Sequence, residues 1–206
     1  MTDFSAAPVT LFLLVANVLV SGYALFSDPG LIDRLAFKPR RILDGKEYYR
    51  LITGGFVHVG LGHLAFNMIT LYFFGPYLEV LLGSVRFLLI YFGAELAAHG
   101  LSLWMHRGHP QYAAVGASGA ISGIVFAYCL FNPFSQIGLF FAIWIPAWAF
   151  AVGFVVLSIV AMGRRAPGET GGLAHEAHLG GAVGGLLLTI LLEPRALPIF
   201  LSQLGV

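Results

Sequence analysis

Ser118, His178, His63 and Asn67 are the residue types that acyl transfer needs, and each is set among long apolar stretches. Ser118 lies in Gly116-Ala117-Ser118-Gly119, His178 in Ala177-His178-Leu179-Gly180-Gly181, and His63 and Asn67 stand four residues apart. A serine hydroxyl is a weak nucleophile until a base within hydrogen-bond reach takes its proton, and histidine is the usual base near neutral pH. On a helix, His63 and Asn67 share one face, one turn apart. Two donors side by side suit the stabilising of a developing oxyanion, although a His–Asn pair equally suits a hydrogen bond to a neighbouring helix. A GxSG pattern alone is weak, since chance supplies about 0.16 per chain of this composition. Its setting adds weight. A loop with Arg107, His109 and Pro110 turns here into an apolar helix, so the hydroxyl sits at a helix N-terminus, where unpaired N–H groups and the dipole favour an anion. Gly116 and Gly119 let the backbone bend tightly and a substrate carbonyl approach.

His178 is followed by Gly181 and Gly185, and the helix after Ser118 offers Gly119 and Gly123. Small-residue faces of this kind pack backbone to backbone in membranes, and their meeting brings Ser118 and His178 together. Glu176 is two residues from His178 and points elsewhere, so no carboxylate is placed to orient the imidazole; a dyad is favoured over a triad. Taken singly, the glycines read as plain packing and His178 as an interhelical hydrogen bond. Taken together, nucleophile, base and oxyanion donors make a complete set. A zinc protease built on His58, His63, His175 and His178 is disfavoured, because His175-Glu176-Ala177-His178 is not HExxH and its histidines are three apart. No metal and no cofactor is expected.

The elements that position these residues follow from composition. Of 206 residues 58% are hydrophobic and 10% charged, against about 25% charged in soluble domains. No Asp, Glu, Lys or Arg lies between Asp3 and Asp28, between Arg50 and Glu79, or between Arg107 and Arg164. About 20 apolar residues cross a bilayer as a helix, and in lipid only helices or closed barrels pair every backbone group. The predicted fold is an all-α membrane protein, a six-transmembrane-helix bundle in a single domain, 1–206. Its spans are expected at Pro8–Phe26, Gly60–Leu82, Phe87–Met105, Ser118–Phe131, Ile137–Met162 and Ala177–Leu192, with Asn132-Pro133 as the break between the fourth and fifth. A long first loop, 27–57, holds six of the eleven Lys and Arg residues. His58, His63, Asn67, Glu95, His99, Ser118, Ser122 and His178 lie in or beside the spans, where ionisable groups mark a site or a wet cavity. A net charge of +1 provides no field for nucleic acid, and Cys129, the only cysteine, can form no internal disulfide. No positive residue precedes the first apolar run, so it is expected to be retained rather than cleaved as a signal peptide.

The chain resembles the rhomboid family of intramembrane serine proteases. The resemblance rests on His58, His63 and Asn67 in HVGLGHLAFN, Ser118 in GASG and His178 in AHLGGAVGG, in that order on the second, fourth and sixth spans. It extends from Tyr49-Arg50 through GPYLEVLLGS to the last helix. By that resemblance Ser118 and His178 are the catalytic dyad, and His63, Asn67 and the Ser118 amide form the oxyanion hole. His58 then supports the active-site opening, while Arg50 and Glu79 brace the long first loop and its junction with the helices. The implied activity is cleavage of single-span membrane protein substrates near a helix end, without metal or cofactor, in the lipid bilayer of a bacterial inner membrane. The alternative is a catalytically inactive rhomboid-like protein that binds membrane helices. The resemblance further implies a lateral gate at Phe140, Phe141, Trp144, Trp148 and Phe150 and a mobile cap after Arg164-Arg165. Two departures stand out: Tyr49-Arg50 replaces the family's Trp-Arg, and Ser122 stands where many members place an aromatic under the histidine ring. The resemblance also implies a cytoplasmic N-terminus, which would put nine of the eleven basic residues on the far side, against the positive-inside rule.

Overall fold

A computed structural model describes residues 4–139, 142–164 and 174–205. In chain order the elements are α1 (Pro8–Phe26), α2 (Gly30–Leu35), α3 (Pro39–Leu43), α4 (Arg50–Thr53), α5 (Leu61–Leu82), α6 (Ser84–His106), α7 (Ser118–Phe131), β1 (Gln136–Leu139), β2 (Ile143–Pro146), α8 (Ala147–Arg164), α9 (His175–Leu192) and α10 (Ala196–Gln203). Among the described residues four helices, α1, α5, α6 and α9, are long and apolar enough to cross a membrane. The segments Ser118–Phe131 and Ala147–Met162 are shorter apolar helices. Large apolar side chains such as Phe26, Val85, Leu157 and Leu191 stand exposed on the outside, as a hydrocarbon surrounding requires.

The fifth expected span is corrected. The described residues of 137–146 are not helical: β1 and β2 pair antiparallel, Gly138 opposite Trp144, and α8 starts only at Ala147. Two prolines explain this. Pro133 breaks the chain after α7, and Pro146, which lacks an N–H, is suited to the position before a first helical turn. The β-branched and aromatic residues between them, Ile137, Ile143, Trp144 and Ile145, favour strands. A second departure from an all-helical chain is the isolated bridge between Phe37 and Ala114.

The first loop carries α2, α3 and α4, held from beneath by the buried Arg50. Its guanidinium donates to the Ala36 carbonyl at 2.7 Å, the Asp33 carbonyl at 3.0 Å and Glu47 Oε2 at 2.5 Å. His99 on α6 supports the same loop, donating from Nδ1 to the Leu51 carbonyl at 2.8 Å and stacking on Phe37.

Helix α7 is the central post. Eleven of its fourteen residues are buried, so it is surrounded by protein. Helix α9 lies against it through glycines: a Cβ on Gly181 would overlap the Gly119 carbonyl, and one on Gly185 would overlap Gly123. Both contacts advance by four residues on both helices, so α7 and α9 run parallel. Gly180 and Gly184 bring the next face of α9 equally close to Ala97 and Ala98 of α6.

Candidate active site

Ser118 is the first residue of α7 and His178 lies in the first turn of α9. Because the two helices are parallel and touch through their backbones, their first turns lie side by side. The Ser118 hydroxyl stands 2.8 Å from His178 Nε2.

The turn that delivers Ser118 is held from several sides. Gly116 has φ of +110°, and a Cβ there would run into the His63 ring, so the position needs glycine on both counts. Its N–H donates to the Gly54 carbonyl at 2.9 Å. The Ala117 N–H donates to His58 Nε2 at 3.4 Å. That leaves His58 Nδ1 carrying the proton, given to Ser21 Oγ at 2.8 Å, while the Ser21 hydroxyl donates to the Phe56 carbonyl at 2.9 Å. Burial pushes His58 down to about 3, and the neighbouring His63 pushes the same way, so the ring is neutral. On the other side of the turn, Glu95 Oε2 accepts the Ala120 N–H at 3.0 Å and so caps α7.

His63 packs edge-on against His58, with ring centroids 4.9 Å apart. Asn67 donates from Nδ2 to the His63 carbonyl at 2.8 Å. With Ser118 and His178 it lines a cavity of about 450 Å³ between α5, α7 and α8. The walls are apolar, with Phe66, Phe73, Ile121, Val125 and Phe150 among them, and Ile137 and Gly138 of the hairpin contribute. Ser122 also lines the cavity, but its hydroxyl is spent on the Ser118 carbonyl at 2.7 Å. The aromatic ring beside His178 comes from α8 instead: Phe154, 6.2 Å between centroids.

Arg50 and Glu79 lie apart from this cavity. Arg50 holds the first loop. Glu79 serves the other end of α1: its carboxylate accepts the Val9 N–H at 2.9 Å and the Thr10 N–H, Thr10 hydroxyl and Ser84 hydroxyl at 2.7 Å each. Glu176 turns from His178 toward Tyr112 and His106. Among the described residues no three His, Cys, Asp or Glu side chains gather in a metal-holding cluster. Of the expected gate residues, Trp144 and Trp148 are exposed and Phe150 lines the cavity; Phe140 and Phe141, like residues 166–173 of the expected cap after Arg164-Arg165, lie outside the described residues.

The contributions of Gly180, Gly184, Ser21 and Phe154 have no counterpart in the sequence reading, and Glu95, marked there as an ionisable residue within a span, takes the specific role of capping α7. The doubled spacing in Gly180-Gly181 and Gly184-Gly185 is a visible sign that α9 is packed closely on two sides. Ser21 and Phe154 carry no local signal, since their partners lie on other helices.

Fold and site together define a helical membrane protein in which a serine and a histidine meet across two glycine-packed helices. The chain belongs to the rhomboid family: residues 45–195 match the family model for the Rhomboid domain. It is 34% identical over 151 residues to "Putative rhomboid protease YdcA" of Bacillus subtilis (strain 168), covering 70% of this chain and 67% of that protein. It is 30% identical over 148 residues to rhomboid protease GluP of the same organism, covering 72% of this chain and 27% of GluP. The mitochondrial rhomboid protein 1 of Saccharomyces cerevisiae (strain ATCC 204508 / S288c) is 28% identical over 198 residues, 90% of this chain and 54% of the yeast protein. The chain thus matches about half or less of the length of GluP and the yeast protein.

Proposed function

We propose that this chain is an intramembrane serine endopeptidase that cuts single-span membrane proteins in or near their transmembrane segment. The observation carrying this reading is the 2.8 Å approach of Ser118 Oγ to His178 Nε2 inside a bundle of apolar helices. His178 takes the Ser118 proton as the hydroxyl attacks the scissile carbonyl. The Ser118 amide, Asn67 and His63 stabilise the tetrahedral oxyanion, and the imidazolium then protonates the leaving amine. Water, giving its proton to the same imidazole, then attacks the acyl ester; the acyl–Oγ bond breaks, the carboxylic acid product leaves and the imidazolium returns the proton to Ser118 Oγ. No metal or cofactor enters.

In this reading α1, α5, α6, α7, α8 and α9 form the six-helix bundle, 1–206 acting as one unit, with a cytoplasmic N-terminus in a bacterial inner membrane. Helix α7, of 14 residues, spans about 21 Å, less than the ~30 Å hydrocarbon core, so a residue at its start lies below the membrane surface. The cavity then receives an unwound stretch of substrate from the lipid.

The test is reconstitution in liposomes with a panel of single-span reporters, the product ends mapped by mass spectrometry. Cleavage that disappears in Ser118→Ala and persists in a strong chelator is the expected result. Intact reporters, with no fluorophosphonate labelling of Ser118, would favour the non-cleaving helix binder.

A further inference from the structure

We infer that Glu176 is a positioning residue for the dyad: its carboxylate fastens the first turn of α9 to the loop that delivers Ser118, and so sets where His178 stands. This rests on the protease reading above.

Glu176 is 2% exposed. Its Oε1 accepts the Tyr112 hydroxyl in a short hydrogen bond and stands 3.1 Å from His106 Nε2. The His106 ring lies flat on Tyr112, 3.7 Å between centroids and 6° between planes. His106 ends α6, and Tyr112 belongs to the segment entering α7. Beyond Tyr112, every second residue of that segment is pinned. Tyr112 meets Phe37 edge-on, Ala114 exchanges both backbone hydrogen bonds with Phe37, and Gly116 donates to Gly54. Ser118 follows two residues later. One carboxylate thus joins the end of α6, the nucleophile's loop and the base's helix.

The glycine faces of α9 explain why such a tether is needed. Gly180, Gly181, Gly184 and Gly185 give the first half of α9 close approach to α6 and α7 without a side-chain knob on those faces, and the first large one, Leu188 against Gly93, comes only ten residues beyond His178. A side chain reaches about 6 Å from a helix axis, so a turn of ~10° moves the imidazole by about 1 Å. A displacement of that size can cost about 10² in rate. Glu176 and His178, two residues apart, project from widely separated directions on α9, so holding the first fixes the rotation that aims the second. Burying a carboxylate is costly, and an apolar side chain would serve packing alone better.

The experiment compares wild type with Glu176→Ala, Glu176→Gln and Tyr112→Phe in reporter cleavage and in crystal structures. Glu176→Ala should lower kcat by about tenfold to a hundredfold with KM changed by less than about twofold. Glu176→Gln, whose carboxamide oxygen still accepts from Tyr112, should recover most of that loss. Tyr112→Phe should lower kcat in the same way and add little on top of Glu176→Ala. In the Glu176→Ala crystal structure, Ser118 Oγ and His178 Nε2 should stand beyond hydrogen-bond distance. Full kcat in Glu176→Ala, additive losses with Tyr112→Phe, or a change confined to KM overturns the tether. Should Glu176→Ala not fold, Tyr112→Phe, which removes one hydroxyl, decides it: full kcat there overturns the proposal. A wild type that cuts no reporter counts against the protease reading instead. The tether is then judged on the crystal structures, where an unchanged Ser118–His178 distance in the variants overturns it.

Discussion

The carbonyl of Gly119 occupies the space that a Cβ on Gly181 would need. The proximity of the dyad therefore depends on the absence of one carbon atom, three residues beyond the histidine. Gly181→Ala should push α9 off α7 and lose activity although no reacting group changes. Overpacking of this kind costs about 1–3 kcal/mol. Thermal unfolding in detergent micelles and reporter cleavage should fall together. Wild-type stability and turnover in Gly181→Ala would show that the helices are not in backbone contact there.

Removing either member of the pair should be far more severe. Ser118→Ala leaves no nucleophile, and His178→Ala leaves a hydroxyl with no base at 2.8 Å. Both should lose at least about 10³-fold in kcat, with thermal unfolding unchanged. Fluorophosphonate labelling should vanish in the first and drop to background in the second. Substantial cleavage by either variant would remove the dyad from the mechanism.

How much of this was legible beforehand depends on where each signal resides. The helices α1 and α5 follow from uncharged runs that only a membrane accommodates, and α6 from an apolar run after Arg86 in which Glu95 is the one Asp, Glu, Lys or Arg; their expected bounds fall within about three residues of those observed. The hairpin leaves little sign in the sequence because Ile, Trp and Phe are apolar in strand and helix alike, and because the break at Asn132-Pro133 is shared with Pro146. The glycine pairing of α7 with α9 was readable because its spacing is local to each helix. What fixes the site from the sides was not: Ser21 meets His58, Glu95 meets Ala120 and Phe154 meets His178 across 24 to 37 residues. A single sequence does not record such partners. The resemblance implies that Arg50 and Glu79 together brace the long first loop and its junction with the helices; Arg50 lies in that loop, whereas Glu79 lies against the start of α1, set by which end of α5 faces which end of α1.

Asn67 has two N–H donors, and one is spent on the His63 carbonyl. The residue lines the same cavity as Ser118, so the second donor is the one available to a developing oxyanion. Asn67→Ala should lower kcat by about 10²-fold, less than loss of the dyad, with KM little changed. Steady-state kinetics on a single reporter checks this. A variant with full kcat would make Asn67 a structural residue of α5.

Glu79 satisfies the first N–H groups of α1 and the hydroxyls of Thr10 and Ser84 with one buried carboxylate. Glu79→Gln replaces charge-assisted bonds by weaker ones and sets an NH₂ against donors that need an acceptor. A loss of about 2 kcal/mol or more is expected, read as a lowered unfolding temperature. Turnover per folded molecule should be unchanged, because the clasp lies apart from the cavity. An unfolding temperature equal to wild type would mean that α1 is not held there.

His58 should make the fold sensitive to acid. Its ordinary value is 6.5; in the folded protein burial, reinforced by His63, lowers it to about 3. Between those two values the unfolded chain binds a proton that the folded chain refuses, so stability is fully present above pH 6.5 and is lost as pH falls toward 3. The slope from this residue alone is about 1.4 kcal/mol per pH unit. Protonation would also remove the acceptor that holds the Ala117 N–H beside the nucleophile. In His58→Gln the overall stability should be lower, but its fall between pH 6.5 and 5 should be shallower than in wild type, measured by thermal unfolding at fixed ionic strength. Parallel curves for the two proteins across that window would mean that His58 exchanges its proton freely and does not anchor the turn that carries Ser118.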